Sequence, residues 1–129
     1  MLVVDASALA AIVFGDENAE AVLDLIEGEE LHAPSHFLLE MANATLVRCR
    51  RSPSNAAVLV ESLTRVLSRP LTLHTVPALD VLTLALRTGL TAYDAGYLWL
   101  ARSLGADLVT LDKQLVAAAA KRPPGKPGA

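Results

Sequence analysis

Apolar residues fall into short runs divided by polar breaks, and the runs alternate between two kinds. "LVV" (2–4) is a short, largely β-branched run closed by Asp5, and "ASALAAIVF" behind it has helix-forming composition. "DENAEAVLDLIEG" (16–28) repeats apolar residues at Ala19, Val22, Leu23 and Ile26, the spacing of one helical face, and stops at Gly28. "LHAP" (31–34) predicts a strand ended by proline. Ser35 is the expected N-cap of a helix running through "HFLLEMANATLVRCRR" to Ser52 and Pro53. A further amphipathic helix is expected over 54–69, a strand over 71–76, and helices over 77–89 and 92–105, the last two each closed by glycine. "DLVTL" (107–111) predicts the last strand, and "DKQLVAAAA" opens the last helix.

Strands alternating with helices, and strands apolar on both faces, predict an α/β fold. The expected form is a three-layer α/β/α sandwich around a mainly parallel sheet of about four strands. At 129 residues one domain is expected, over 1–120, with a Pro/Gly-rich tail over 121–129. The hydrophobic share of 53% is high for a domain this small and suggests a surface covered by a partner. No apolar run approaches the roughly 20 residues that cross a bilayer. No leader pattern precedes Asp5, so a cytoplasmic protein with no membrane association is expected. A single cysteine, Cys49, excludes a disulfide framework and a multi-cysteine zinc site. His32, His36 and His74 are scattered along the chain, which argues against zinc. A net charge of −3 advertises no bulk affinity for nucleic acid, although it leaves room for a local basic edge.

The acids carry the candidate chemistry. In open parallel sheets ligands bind beyond the carboxyl ends of the strands. Asp5 ends the first strand, Asp112 the last, and Asp94 lies in the first turn of the helix that feeds that last strand. Each also has an ordinary explanation, since Asp is a favoured N-cap, and Thr91 to Asp94 has the spacing of a capping box. Glu40 escapes it. It interrupts "FLLEMANATL" inside a helix, with Asn43 beside it at i+3, and no Lys or Arg stands one turn before it. Four convergent carboxylates are tolerable if some protonate or a cation sits among them. Hard oxygen donors suit Mg²⁺, with Mn²⁺ an acceptable substitute. Such an ion activates water and stabilises charge on a phosphate, the chemistry of phosphodiester hydrolysis.

"LVVDASALAAIVF", "PSHFLLEMANATLVR" and "LTAYDAGYLWLARSLGADLVTLDKQL", in that order, resemble the PIN-domain ribonucleases, and most of all the VapC-type toxins of bacterial toxin–antitoxin pairs. "DAS" or "TLD" alone is weak; the ordered set is specific. The resemblance implies a metal-dependent endoribonuclease whose acidic pocket is Asp5, Glu40, Asp94 and Asp112, with Asp112 the member whose direct metal contact is least assured. It implies that Ser7 and Thr91 orient carboxylates or water, and that Asn43 lines the site. It also implies an RNA substrate, a homodimer and a cognate antitoxin in the cleft.

Positive charge for RNA is expected from Arg48, Arg50 and Arg51, although cations at a helix C-terminus are favoured by its dipole in any case. Arg65 and Arg69 follow later. Tyr93, Tyr97 and Trp99 are expected to pack rather than to stack on bases. Two other classes fit part of the pattern. One is a receiver-like phosphoacceptor domain, which would want an acidic pair where "VVDASA" has none. The other is a catalytically inactive module that dimerises and captures a partner.

Overall fold

The computed structural model describes residues 1–121. Its centre is β1, Leu2–Val4, whose three residues are all buried, as a strand covered on both faces must be. β2 (Leu31–Pro34) pairs with it on one side and β4 (Asp107–Val109) on the other, while β3 (Thr72–His74) pairs with β2. All pairings are parallel, and the order is β3-β2-β1-β4. The register sets Leu2 against both Leu31 and Asp107, so the strands start level and their carboxyl ends form one edge.

The helices are α1 (Ala6–Phe14), α2 (Ala19–Ile26), α3 (Phe37–Arg51), α4 (Ala56–Leu67), α5 (Ala78–Thr88), α6 (Ala92–Leu104) and α7 (Lys113–Ala120). Progress from β1 to β3 runs one way across the sheet, and the step from β3 to β4 runs back past β1. Right-handed crossovers therefore put α1–α4 on one face and α5 and α6 on the other. Contacts follow that division: α1 packs on α2, α3 and α4, and α6 packs on α5, α7, β1 and β2. This is the three-layer α/β sandwich expected from the pattern. Phe37, Met41, Tyr97, Leu98, Leu100 and Leu115 are its largest fully buried side chains, all of them from helices. Among the described residues no helix is long and apolar enough to cross a membrane.

Several boundaries differ from the pattern. Ser35 is not the cap of α3: its N–H donates to the His74 carbonyl at 2.8 Å, prolonging the β2–β3 ladder, and His36 takes the cap position without a side-chain bond. The helix expected over 54–69 divides into a 3₁₀ turn, Pro53–Asn55, and α4, because Pro53 starts a turn that the α-helix then replaces. The strands expected over 71–76 and 107–111 shorten to three residues each, which frees Thr110 and Leu111 for the rim. Beyond Lys121, the expected tail lies outside the described residues.

Candidate active site

Asp5 leaves β1 at the carboxyl edge and is buried there. Its Oδ1 accepts from the Ala8 N–H at 3.0 Å, capping α1, and from the Ser7 hydroxyl at 2.7 Å; the Thr110 hydroxyl donates to Oδ2. Thr110 is tied in turn, accepting the Asp112 N–H at 3.0 Å, while Ser7 Oγ accepts the Leu111 N–H at 2.9 Å. The end of β4 is thereby knotted to the end of β1. Burial pushes the Asp5 pKa up; the bonds from Thr110, Ser7 and Ala8 oppose that, and the Asp112 charge adds to it.

Asp112 caps α7, accepting from the Leu115 N–H at 3.0 Å. Asp94 sits in the first turn of α6, where the Thr91 hydroxyl accepts its N–H at 3.1 Å. Burial raises the Asp94 pKa, and the charges of Asp112 and Asp5 raise it further. The ordinary explanation of Asp5 and Asp112 as caps is thus correct as far as it goes. It does not account for acids that burden one another's ionisation.

Glu40 lies in the first turn of α3 and crosses to α6, where the Tyr97 hydroxyl donates to its Oε1 at 2.7 Å. His36 Nε2 stands 3.3 Å from the same oxygen. Burial raises the Glu40 pKa; Tyr97 and His36 hold it back, and Asp94 and Asp5 push it up. Tyr97 remains a phenol, its own pKa driven up by burial and then by the carboxylate it serves. The ring of Tyr97 does pack, being 1% exposed, but its hydroxyl belongs to the rim.

Residues 5, 94 and 112 stand close enough at one edge that the charge of each bears on another acid, and Glu40 feels Asp94 and Asp5. Among the described residues no Lys or Arg forms an ion pair with any of the four acids, and His36 is the one cationic partner near them. The donor set is all carboxylate oxygen, which fits Mg²⁺ or Mn²⁺ rather than a thiophilic metal. Among the described residues no three His, Cys, Asp or Glu side chains already stand in a metal-holding cluster.

The basic residues lie elsewhere. Arg48, Arg50 and Arg51 occupy the last turn of α3, about 12–16 Å along the axis from Glu40 at 1.5 Å per residue. The Arg48 guanidinium lies 4.1 Å over the Phe14 ring, whereas Arg50 and Arg51 are exposed. Asn43 is exposed one turn after Glu40. His32 and His74, distant in sequence, meet between β2 and β3: His32 Nδ1 is 2.8 Å from His74 Nε2, and its Nε2 is 2.7 Å from Glu30. They are occupied with each other, away from the acids. A cavity of about 390 Å³ between α5, α6 and α7, lined by Arg87, Leu90 and Arg102, includes none of the four acids.

A four-stranded parallel sheet whose carboxyl edge gathers acids from four separate segments is the arrangement of a PIN domain. The PIN-domain family model matches residues 2–121, and the chain belongs to that family. It is 37% identical over 120 residues to Ribonuclease VapC3 of Pyrobaculum aerophilum, spanning 88% of this chain and 91% of that protein. It is also 36% identical over 115 residues to a protein of the same organism named Exonuclease VapC9, covering 88% and 82%. The crystal structure of PAE2754 from Pyrobaculum aerophilum superposes with a TM-score of 0.79 at 32% identity, covering 92% of this chain and 84% of that one. Membership of this family removes the receiver-like alternative.

Proposed function

We propose that the chain is a divalent-metal-dependent endoribonuclease, the toxin of a toxin–antitoxin pair, working through Asp5, Glu40, Asp94 and Asp112. The observation that carries this reading is the mutual burden of the acids. Three carboxylates at one edge have pKa values raised by burial and then by neighbouring acids, and among the described residues no Lys or Arg pairs with them. Such a set costs stability unless it has a use, and a bound divalent cation is the use its oxygen donors fit. The bound ion would lower the pKa of a coordinated water and offset charge on the phosphate. The chain's own part is orientation: Ser7 and Thr110 fix both oxygens of Asp5, Thr91 fixes the turn that carries Asp94, and Asp112 is held by its cap on α7.

The names of the relatives support RNA as substrate. One relative is named an exonuclease, so internal cleavage needs its own test. Arg50 and Arg51, exposed in the last turn of α3, suit contacts with phosphates away from the cut. Leu79, Leu82 and Leu86 along α5 and Leu38, Leu39 and Leu46 on α3 are exposed, which suits burial against a second copy and an antitoxin.

Purified, antitoxin-free protein incubated with linear and circular RNA in Mg²⁺, Mn²⁺ or EDTA tests the reading, beside Asp5→Asn and Asp94→Asn. Metal-dependent cutting of the circle, lost in both folded variants, is expected. Cutting of linear RNA alone would make the enzyme an exonuclease. RNA left intact throughout, with metal binding unchanged in the variants, would leave a partner-binding module whose acids are caps.

A further inference from the structure

Glu40 is met by two groups that no metal requires, both at the same oxygen: a hydrogen bond from Tyr97 and the close approach of His36. Tyr97 Oη is 2.7 Å from Oε1, and His36 Nε2 is 3.3 Å from it. The His36 ring is itself fixed. Its Nε2–H donates to the Tyr93 carbonyl at 3.1 Å, which turns that edge of the ring toward Glu40 Oε1. The rings of Tyr93 and Tyr97 meet it edge-on, with centroids at 5.7 and 5.2 Å.

Gly96 explains how the ring fits. It is buried in the interior of α6, where glycine is the poorest choice short of proline, and its φ is ordinary, so no turn requires it. A Cβ at that position would stand 2.9 Å from His36 Cε1 and 3.6 Å from Nε2. The missing methyl is the room the imidazole occupies. Two segments far apart in sequence therefore meet at one oxygen of one acid, His36 from the start of α3 and Tyr97 from α6, with Gly96 making the room.

We propose that His36 and Tyr97 are positioning residues for the metal site: they hold Glu40 by Oε1 and leave Oε2 to meet the divalent cation. Gly96 is the seat of the clamp. The inference rests on the metal-dependent reading and names the groups that orient one of its ligands. Partners of this kind behind a metal ligand are commonly worth about 10- to 100-fold in metal affinity.

The test is Mn²⁺ binding to the full chain by calorimetry, with RNA cleavage measured across a metal titration. Tyr97→Phe keeps the packed ring and removes only the hydroxyl. It is expected to weaken Mn²⁺ binding about 10-fold, lowering kcat at limiting metal and recovering at excess metal, with KM for RNA unchanged. His36→Ala is expected to behave likewise, and His36→Gln, which restores an N–H donor, to bind as wild type does. Gly96→Ala should resemble His36→Ala. A purely structural role would be rescued neither by glutamine nor by excess metal. If Tyr97→Phe and His36→Ala bind Mn²⁺ as wild type does while Glu40→Gln binds it more weakly, the clamp is wrong and the metal site stands. If Glu40→Gln also binds normally, Glu40 is no ligand, and the clamp falls together with that part of the functional reading.

Discussion

Asp5 offers the sharpest test of how structure and chemistry share one side chain. Asp5→Ala removes the cap from α1, worth about 1 kcal/mol, and strips the acceptor from the Ser7 and Thr110 hydroxyls. A buried hydroxyl left without a partner costs about 1–3 kcal/mol. Ser7 Oγ and Thr110 Oγ1 are 3.3 Å apart and can pair with each other, which limits the loss to about one such group. The relief of burying a charge offsets part of the remainder, since burial is the leading cause of the raised Asp5 pKa. The expected net loss at pH 7 is about 2–3 kcal/mol. With a urea slope of about 1–3 kcal/mol/M for small proteins, the midpoint should fall by about 1–2 M.

Asp5→Asn keeps the shape and one acceptor oxygen, so its loss should stay below about 1 kcal/mol. The pH dependence follows from the direction of the shift. A carboxylate whose folded pKa is raised stabilises the fold most below its unfolded value, and that contribution is lost as pH rises through the folded value. The gap between wild type and Asp5→Asn should therefore narrow from pH 4 to pH 7 without metal. Urea melts of both proteins across that range measure it. A gap that widens with pH, or an Ala variant with the wild-type midpoint, would refute the account of Asp5 as a hub that is costly when charged.

The same sign applies to the rim as a whole: with Asp5, Glu40 and Asp94 all raised, metal-free protein should lose stability as pH climbs above the ordinary carboxylate range. Mg²⁺ at 100 times its Kd should then restore about 2.7 kcal/mol at pH 7, read as a rise in Tm that EDTA abolishes. Thr110→Val removes a donor to Asp5 and the acceptor of the Asp112 N–H, and should cost about 1–2 kcal/mol in urea melts with the α/β circular dichroism unchanged. Replacing Arg50 and Arg51 together by glutamine should flatten the salt dependence of RNA binding by about 1.4 in log–log slope if both meet phosphates. An unchanged slope would confine them to the helix dipole.

The fold was legible because a buried parallel strand must be apolar on both faces, as "LVV" and "LHAP" are, while the half-exposed edge strand within "DLVTL" was marked by its short apolar run alone. The placement of Asp5 and Asp112 was legible because strand ends in such a sheet share an edge. Their partners were not. Tyr97 lies 57 residues from Glu40 and Thr110 lies 105 from Asp5, and no local pattern encodes a contact at that separation. Glu40 did announce the need for a partner by interrupting an apolar helix. The partner proved to be a phenol across the fold and a histidine one turn back, not the Lys or Arg such a site ordinarily takes. Gly96 carried a signal of its own, a glycine inside a helix with no turn to make, which points to a side chain from elsewhere pressing on the backbone. Ser35 misled because a serine before a helix is a cap only if the strand has already ended, and here the ladder claims it first.

The central strand precedes every other strand of its sheet and is the last to be enclosed. β1 lies between β2 and β4, and β4 pairs with it only once residues 107–109 exist. Asp5 likewise waits for Thr110, and Asp112 follows two residues later. A nascent chain halted anywhere before β4 holds Asp5 on an open sheet edge with one of its two hydroxyl partners missing, and lacks the fourth acid. The long-range closure that slows folding of such topologies thus also sets the time at which the rim is complete. Whatever the rim does, it begins doing only once residues 107–112 have joined the sheet.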